Sequence, residues 1–326
     1  MIARSCPSST CTAASTPAWK TRCAGVGLPS LTGSSRRTEK VRVAITGKYA
    51  DLMDAYASIQ KSLEHCGAHF KTEIVQDWID TTDINDANVA ERLKDIDAVI
   101  VPGGFGSRGV EGKIAVVKHA RETGLPYLGI CLGFQVAVIE FARNVLGIKD
   151  AYSTEFDPMC GSPLISELPD QKKIEGLGGT MRLGAQDVQI KPDTLAHFLA
   201  GGKTSIHERF RHRYEVDPGF IEQLEEGGLI FSGRHPKQPI MQILELPSEG
   251  EEGTITHPYF IGAQFHPELT SRPLTPQPMF MGLVAAALAH QYKGDEGAWN
   301  TLFNKNPALR TWLYHKKNGS PQKSTH

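Results

Sequence analysis

A cysteine between two glycines is the first feature of this chain that could do chemistry. Cys131 follows the apolar run Tyr127–Ile130, has Gly129 and Gly133 near it on either side, and precedes an apolar stretch at residues 136–142. This pattern predicts a strand, a sharp turn and a helix. A residue at such a turn is held above the sheet edge, at a helix N-terminus whose N–H groups favour a thiolate. We therefore predict that Cys131 is a nucleophile.

A histidine and a carboxylate far downstream could complete the chemistry. His266 and Glu268 stand on either side of Pro267. A spacing of two places both side chains on one face of an extended segment, so direct contact needs a bend, and proline favours one because its φ is fixed near about −65°. A lone cysteine in an apolar run is more often a core residue. The combination instead favours a cysteine triad with Cys131 as nucleophile, His266 as base and Glu268 as the orienting acid.

Longer segments of the sequence resemble a known family. Gly129-Ile-Cys-Leu-Gly-Phe-Gln135 with Phe265-His-Pro-Glu268 resembles the class I (triad) glutamine amidotransferases. Five further segments narrow the resemblance to the glutaminase domain of the CTP synthase family: Ile45-Thr-Gly-Lys-Tyr49, Val101-Pro-Gly-Gly-Phe-Gly-Ser-Arg-Gly109, Ser153-Thr-Glu-Phe156, Gly178-Gly-Thr-Met-Arg-Leu-Gly184 and Arg211-His-Arg-Tyr-Glu-Val216. The resemblance covers roughly residues 41–292. Phe134 and Phe210 depart from it, since the family commonly has Met and His there.

The resemblance implies that the chain hydrolyses glutamine to glutamate and ammonia through a thioester on Cys131. Backbone N–H groups suit an oxyanion hole because they are rigid as charge develops. The first would come from Leu132 at the helix start, and the second from Gly103 or Gly104 in the loop that resembles the family's oxyanion strand. The resemblance also implies a glutamine pocket in which Glu155 accepts the ammonium and Arg213 pairs with the carboxylate, completed by Gln135 and the backbone around Tyr214.

The resemblance implies that the nucleotide chemistry takes place in another part of the protein. In the family, ammonia passes to UTP that has been phosphorylated by ATP, with magnesium, to give CTP, and GTP is an allosteric activator. We expect no cofactor in the domain seen here, and we expect UTP, ATP and GTP to act through a synthetase half that has no counterpart in the first 40 residues. Gly103 to Gly109 lacks the GxxxxGK[ST] pattern of a phosphate loop. A homo-oligomer is expected for the full-length protein.

The composition limits the binding partners and the cellular compartment that we expect. The 35 basic and 36 acidic residues give a formal net charge of −1, so no global field favours a nucleic acid or an anionic membrane. No apolar run approaches the roughly 18–20 residues that span a bilayer. The six cysteines show neither metal-ligand spacing nor a disulfide framework. A reducing, cytoplasmic compartment and the absence of a metal site are therefore the expectation.

Strands that alternate with helices predict the fold class. The predicted strands are 41–46, 70–75, 97–102 and 125–130, and the predicted helices are 55–65 and 112–123. This order indicates an α/β fold with a mostly parallel, doubly wound sheet, and the resemblance implies the class I amidotransferase type. Ligands bind such sheets beyond the carboxyl ends of the strands. Later strand candidates at 211–216, 228–232, 241–246 and 260–265 predict antiparallel hairpins at an edge.

Three regions are predicted along the chain: a disordered tail at 1–40, one amidotransferase domain at 41–295, and a C-terminal tail at 296–326. The first region has no acid before Glu39, so a transit peptide is an alternative, although its prolines interrupt the helix that a transit peptide needs. Two functional alternatives are also open. One is a regulatory or assembly module that retains the fold, and the other is a different class I amidotransferase or a γ-glutamyl hydrolase.

Overall fold

A nine-stranded sheet forms the centre of the computed structural model, which describes residues 39–47, 56–167, 181–307 and 309. The strands within these ranges are β1 Glu39–Gly47, β2 Thr72–Asp80, β3 Ala98–Val101, β4 Tyr127–Ile130, β5 Ala151–Ser153, β6 Ser162–Ser166, β7 Arg182–Ile190, β8 Ser205–His212, β9 Glu215–Val216, β10 Ile230–Arg234, β11 Met241–Glu245 and β12 Phe260–Ala263. The helices are α1 Ala57–Phe70, α2 Val89–Arg92, α3 Val110–Thr123, α4 Leu132–Asn144, α5 Leu195–Leu199, α6 Ile221–Glu226, α7 Pro278–Gln291 and α8 Glu296–Lys305. Short 3-10 turns lie at Pro218–Phe220 and Pro267–Leu269.

The large sheet has a parallel side and an antiparallel side. Its strand order is β2-β1-β3-β4-β12-β11-β10-β7-β8, and the pairs from β2 to β12 are parallel. The remaining pairs, from β12 to β8, are antiparallel. The mostly parallel sheet with antiparallel strands is therefore confirmed, but the edge position predicted for residues 260–265 is wrong. These residues form β12, which lies in the middle of the sheet and joins its two sides.

Alternating side chains build a core on each face of the sheet. In β3, Val99 and Val101 point to a cluster that includes α3 and α4, whereas Ala98 and Ile100 point to a cluster that includes α1 and α7. This alternation follows from the two-residue period of a strand. Helix α4 is buried on every side from Leu132 to Ala142, as expected for a helix that is apolar all round. The site residues at its start are thus held by packing from two layers.

Several element boundaries differ from the predictions. Helix α1 runs to Phe70, five residues beyond its predicted end, and β2 begins only at Thr72. The helix contains Gly67 because that residue packs against the following strand, where an added Cβ would lie 2.8 Å from the Thr72 carbonyl oxygen. Strand β7, which pairs along its whole length with β8, was not predicted.

Both predicted tails need correction where the structure describes them. Residues 296–305, placed in the C-terminal tail, form α8, and the side chains of Leu302 and Leu309 are buried in the core. Asn306 donates a hydrogen bond from Nδ2 to the Phe70 carbonyl oxygen at 2.7 Å. Glu39 and Lys40, placed in the N-terminal tail, belong to β1. The rest of that tail prediction, residues 1–38, lies outside the described residues.

Within the described ranges, no helix is both long enough and apolar enough to cross a membrane.

Candidate active site

The turn between β4 and α4 places Cys131 in strained backbone geometry. Its φ of 53° and ψ of −99° are rare for a residue with a side chain. The backbone N–H of Cys131 is fixed by a 2.7 Å hydrogen bond to the Ala263 carbonyl oxygen. The flanking glycines allow the close packing that maintains this turn: a Cβ on Gly133 would lie 2.0 Å from the Val101 carbonyl oxygen, and one on Gly129 would lie 2.8 Å from the Gly133 carbonyl carbon. The predicted strand, turn and helix are confirmed.

His266 and Glu268 reach the same place because β12 lies beside β4. The last residues of these parallel strands, Ala263 and Ile130, are register partners, so the residues that follow each strand leave the sheet side by side. The 3-10 turn that starts at Pro267 supplies the bend. His266 Nδ1 and Glu268 Oε1 are 2.7 Å apart. The contact expected between these two side chains is therefore present.

The electrostatics of this group favour an ion pair. Burial lowers the pKa of His266, but the Cys131 and Glu268 side chains beside it raise that pKa to about 10. A protonated imidazole is therefore favoured at neutral pH. The other ring nitrogen, Nε2, is buried and has no hydrogen-bond partner among the described residues, so it is available to exchange a proton.

The Gly103-Gly104 loop lies against the cysteine and the histidine. It follows β3, which pairs with β4. A Cβ on Gly103 would lie 3.4 Å from the Cys131 Cβ and 3.0 Å from His266 Cε1. In the described part of the chain, the N–H groups of Gly103 and Gly104 have no hydrogen-bond acceptor. Leu132 begins α4, so its N–H has no acceptor within that helix either. Donors for an oxyanion are thus present on both sides of Cys131.

A cavity of about 280 Å³ adjoins the cysteine on one side. Its lining contains all the side chains predicted to bind glutamine. The lining residues are Gly104, Phe105, Cys131, Gln135, Glu155, Met181, His212, Arg213 and Tyr214. One acid and one guanidinium in a single cavity suit a zwitterionic amino acid. The specific roles given to these residues remain predictions.

Hydrogen bonds hold the polar side chains of this cavity in place. Gln135 Nε2 donates to the Tyr214 carbonyl oxygen at 2.9 Å and to Gln264 Oε1 at 3.1 Å. Glu155 Oε1 accepts a 2.8 Å hydrogen bond from the Gly106 N–H. Glu155 is therefore tied to the same glycine loop that approaches Cys131.

Cys131 also borders a second cavity, of about 460 Å³. Gly104, Phe105 and Cys131 line both cavities. The second cavity is further lined by Tyr56, Ser58, Ile59, Pro102, Gly103, Arg211, His266, Glu268 and Leu269. The cysteine thus lies between the amino-acid-sized cavity and a larger one on the side of His266.

Sequence reasoning missed a buried ionic cluster behind Arg213 and Tyr214. His212 Nε2 lies 2.8 Å from Glu215 Oε1, and the same oxygen lies 3.0 Å from Arg182 Nε. Both His212 and Glu215 are buried, so the cluster fixes the two ends of the turn that carries Arg213 and Tyr214. The only sequence signal was a histidine three residues before a glutamate.

Glu208 was missed as well. Its side chain is buried near Glu268, and its Oε2 accepts a 3.2 Å hydrogen bond from Thr270 Oγ1. Burial raises the pKa of Glu208 to about 7, and the charge of Glu268 acts in the same direction. A second acid with an unusual proton affinity therefore lies next to the predicted triad.

Within the described residues, no group of three His, Cys, Asp or Glu side chains is arranged to hold a metal ion.

Comparisons with known proteins agree with this geometry. Residues 51–286 match the family described as Glutamine amidotransferase class-I. The CTP synthase of Staphylococcus saprophyticus is 48% identical over 252 residues, which are 77% of this chain and 45% of that protein. The CTP synthase of Methanopyrus kandleri is 47% identical over 262 residues, which are 80% of this chain and 47% of that protein. The chain therefore spans less than half the length of these curated relatives.

A solved structure is also similar. It is the Trypanosoma brucei CTPS glutaminase domain with bound acivicin, with a TM-score of 0.69 and 34% sequence identity. The match covers 76% of this chain and 94% of that domain. The similarity thus includes nearly the whole of an isolated glutaminase domain.

Proposed function

The chain belongs to the class I glutamine amidotransferases and, within them, to the glutaminase domains of CTP synthases, and we propose on this premise that Cys131 hydrolyses glutamine to glutamate and ammonia. The observation that carries the proposal is the arrangement of three side chains. Cys131 borders the cavity in strained geometry, His266 lies beside it, and Glu268 holds the imidazole at 2.7 Å.

The first half of the reaction forms a thioester. The Cys131 thiolate attacks the side-chain amide carbon of glutamine, and the amide oxygen becomes an oxyanion that the N–H groups of Gly103 and Leu132 stabilise. His266, which carries the thiol proton, gives it to the amide nitrogen. The carbon–nitrogen bond breaks, ammonia leaves, and the glutamyl group remains on sulfur.

The second half releases glutamate. A water attacks the thioester carbonyl while His266 Nε2 accepts its proton. A second oxyanion forms at the same two N–H groups and collapses, so that the carbon–sulfur bond breaks. Glutamate leaves and Cys131 is again a thiolate beside a protonated His266. Throughout the cycle Glu268 keeps the ring oriented and stabilises its positive charge.

The cavity would bind the amino-acid end of glutamine. Glu155 would accept the α-ammonium, and Arg213 would pair with the α-carboxylate through its planar guanidinium. Gln135, held by the Tyr214 carbonyl oxygen, would fix the depth to which the side-chain amide enters. These assignments follow from the resemblance and from the shared cavity.

The use of the ammonia is a second part of the proposal. Two relatives of this chain are CTP synthases, and each is more than twice as long as the region that it shares with this chain. We infer that ammonia made at Cys131 serves the amination of UTP to CTP in pyrimidine nucleotide biosynthesis. ATP, magnesium and the activator GTP would act through a synthetase half, in a homo-oligomer, and a reducing cytoplasm would suit the thiol.

The experiment compares the purified chain with its Cys131→Ala variant. With glutamine as substrate, the unaltered chain is expected to release equal amounts of glutamate and ammonia, and the variant is expected to be about 10⁴-fold slower or inactive. A glutamine-mimicking diazo-ketone should label Cys131 but not Cys66, because burial raises the pKa of the Cys66 thiol far above its ordinary value. A folded chain that releases no ammonia and takes no label would favour an assembly or regulatory module.

A further inference from the structure

A lysine is buried directly behind the glycine loop of the site. Lys113 lies in the first turns of α3 and is only 2% exposed. Its Nζ donates a 3.3 Å hydrogen bond to the Pro102 carbonyl oxygen. A Cβ on Gly104 would lie 3.7 Å from the same nitrogen. The ammonium group therefore lies against the loop that approaches Cys131.

The hydrogen bond fixes the plane of one peptide group. Within the described residues all peptide bonds are trans, and in a trans peptide the C=O and the following N–H point in opposite directions. A Pro102 oxygen held by Lys113 therefore directs the Gly103 N–H away from the lysine. Gly103 also lies at the reacting groups, since an added Cβ there would be 3.4 Å from the Cys131 Cβ and 3.0 Å from His266 Cε1.

Such a constraint is needed because the loop begins with two glycines, Gly103 and Gly104. Residues without a Cβ rotate their peptide planes easily. Rotation of the Pro102–Gly103 peptide would turn the carbonyl oxygen toward the nucleophile and remove an oxyanion donor. A cation on the carbonyl oxygen opposes this rotation, and it also polarises the peptide so that its N–H becomes a stronger donor.

We propose that Lys113 is a positioning residue for glutamine hydrolysis, which holds and polarises the Pro102–Gly103 peptide so that the Gly103 N–H stabilises the oxyanion. This inference rests on the proposed glutaminase function. Lys113 is not among the residues that line the two cavities beside Cys131. It acts through the peptide that it binds, and its contribution is specific to states in which the amide oxygen carries a negative charge.

The test replaces Lys113 with methionine, an apolar side chain of similar length. Lys118→Met on the same helix is the matched control, because Lys118 pairs with Asp86 at the surface. Lys113→Met is expected to lower kcat about 10- to 100-fold, in the range for a weakened oxyanion donor, and to change KM less than about twofold. Lys118→Met is expected to match the unaltered chain.

Two further readouts separate this role from a structural one. The aldehyde analogue of glutamine forms a thiohemiacetal with an oxyanion, so its inhibition constant should rise by the same factor as kcat falls in Lys113→Met. Alkylation of Cys131 by iodoacetamide passes through no such oxyanion and should keep its rate. Lys113→Gln, which removes the charge but keeps an N–H donor, is expected to give intermediate values and serves if Lys113→Met does not fold.

The outcomes distinguish a failure of the positioning role of Lys113 from a failure of the proposed glutaminase function. Unchanged kcat and aldehyde inhibition in the folded Lys113 variants would overturn the positioning role alone. An equal loss of iodoacetamide reactivity would also overturn it, since the nucleophile would then be disturbed. An unaltered chain that neither hydrolyses glutamine nor takes the diazo-ketone would contradict the proposed function itself, whatever the Lys113 variants do.

Discussion

At the scale of single residues, the site depends on its glycines as well as on the side chains that react. A Cβ on Gly103 would lie close to both Cys131 and His266, whereas a Cβ on Gly104 would meet Leu132 and Lys113 at ordinary contact distances. The two glycines are neighbours in one loop, but an added Cβ would meet the reacting side chains only at the first. Their substitution therefore separates steric interference at the site from a general effect on the loop.

We predict that Gly103→Ala impairs glutamine hydrolysis far more than Gly104→Ala. The added Cβ would lie 3.0 Å from His266 Cε1 in the first variant, and 3.6 Å from Leu132 Cδ2 in the second. Displacement of the imidazole should lower kcat about 100-fold, while Gly104→Ala should stay within about tenfold. Steady-state kinetics of the two variants measure the difference. Equal losses would show that the loop tolerates no Cβ anywhere.

Glu208 leads to a prediction about pH and stability. Its pKa in the folded protein is about 7, above the ordinary value of 4.5, so the folded state holds this proton more tightly than the unfolded chain. The stabilisation is complete below about pH 4.5 and is lost as the pH rises through about 7. The glutamine side chain of Glu208→Gln does not ionise, so the variant does not lose this stabilisation as the pH rises. At pH 8 it should raise the free energy of unfolding by on the order of 1–3 kcal/mol.

The measurement is urea unfolding of both proteins at pH 5 and pH 8. The advantage of Glu208→Gln should be larger at pH 8 than at pH 5. Glu222→Gln is the control, because Glu222 is exposed on α6, and no such pH-dependent gain is expected there. A constant difference across the two pH values would mean that the carboxyl group of Glu208 titrates as in the unfolded chain.

Sequence reasoning located residues that short motifs carry, and missed those that only tertiary packing brings near. Cys131 has its glycines beside it, and His266 and Glu268 are two residues apart. Lys113 and Glu208 lie outside the motifs and have no pattern of their own. In the sequence, Lys113 resembles any charged residue on the surface of a helix. Nothing in the neighbouring residues shows that the first turns of α3 lie against the Pro102 carbonyl group.

At the scale of elements, apolar runs predicted β3 and β4 well, since these two strands are buried on both faces. Strand β7 is exposed along most of its length, so it lacks the apolar alternation that would have indicated a strand. The central position of β12 could not be predicted for another reason. Its partner β4 lies about 130 residues earlier, and strand pairing over that separation leaves no local signal.

The contact between α4 and β3 makes a prediction at this scale. Gly133→Ala would place a Cβ 2.0 Å from the Val101 carbonyl oxygen, so the first turn of α4 must move away from the strand. We expect a loss of about 3 kcal/mol or more in the free energy of unfolding, from overpacking of a buried contact. Gly228→Ala is the control. Its added Cβ meets nothing within 4 Å, and only its φ of 101° is unfavourable.

Denaturant unfolding compares these two variants. Gly228→Ala should lose about 1–2 kcal/mol, the cost of positive φ for a residue with a side chain. Similar losses in the two proteins would show that α4 shifts freely, and that the sharp turn at Cys131 does not depend on close packing against β3.

At the scale of the whole molecule, the sheet brings together parts of the chain that are far apart in sequence. The Gly103 loop, Cys131 and His266 follow three neighbouring parallel strands, β3, β4 and β12, and ligands bind such sheets beyond the carboxyl ends of their strands. The residues that we propose for glutamine hydrolysis therefore all lie within this domain. The proposed amination of a nucleotide would need further residues, because the matched relatives are more than twice as long as the region that they share with this chain.

The last prediction concerns the division of labour between the two halves. The purified chain should release ammonia from glutamine slowly and form no CTP from UTP, ATP, magnesium and glutamine, because no phosphate loop of the GxxxxGK[ST] type occurs in its sequence. Slow hydrolysis is expected because the loop at residues 103–106 is rich in glycine, and we expect the partner half to complete the positioning that Lys113 begins. A full-length CTP synthase whose own glutaminase cysteine is replaced by alanine supplies the synthetase half. CTP, measured by chromatography, should then appear from glutamine only if the two proteins associate, and the Cys131→Ala chain should give none in the same mixture. CTP made by the purified chain alone would overturn the assignment of nucleotide chemistry to a separate half.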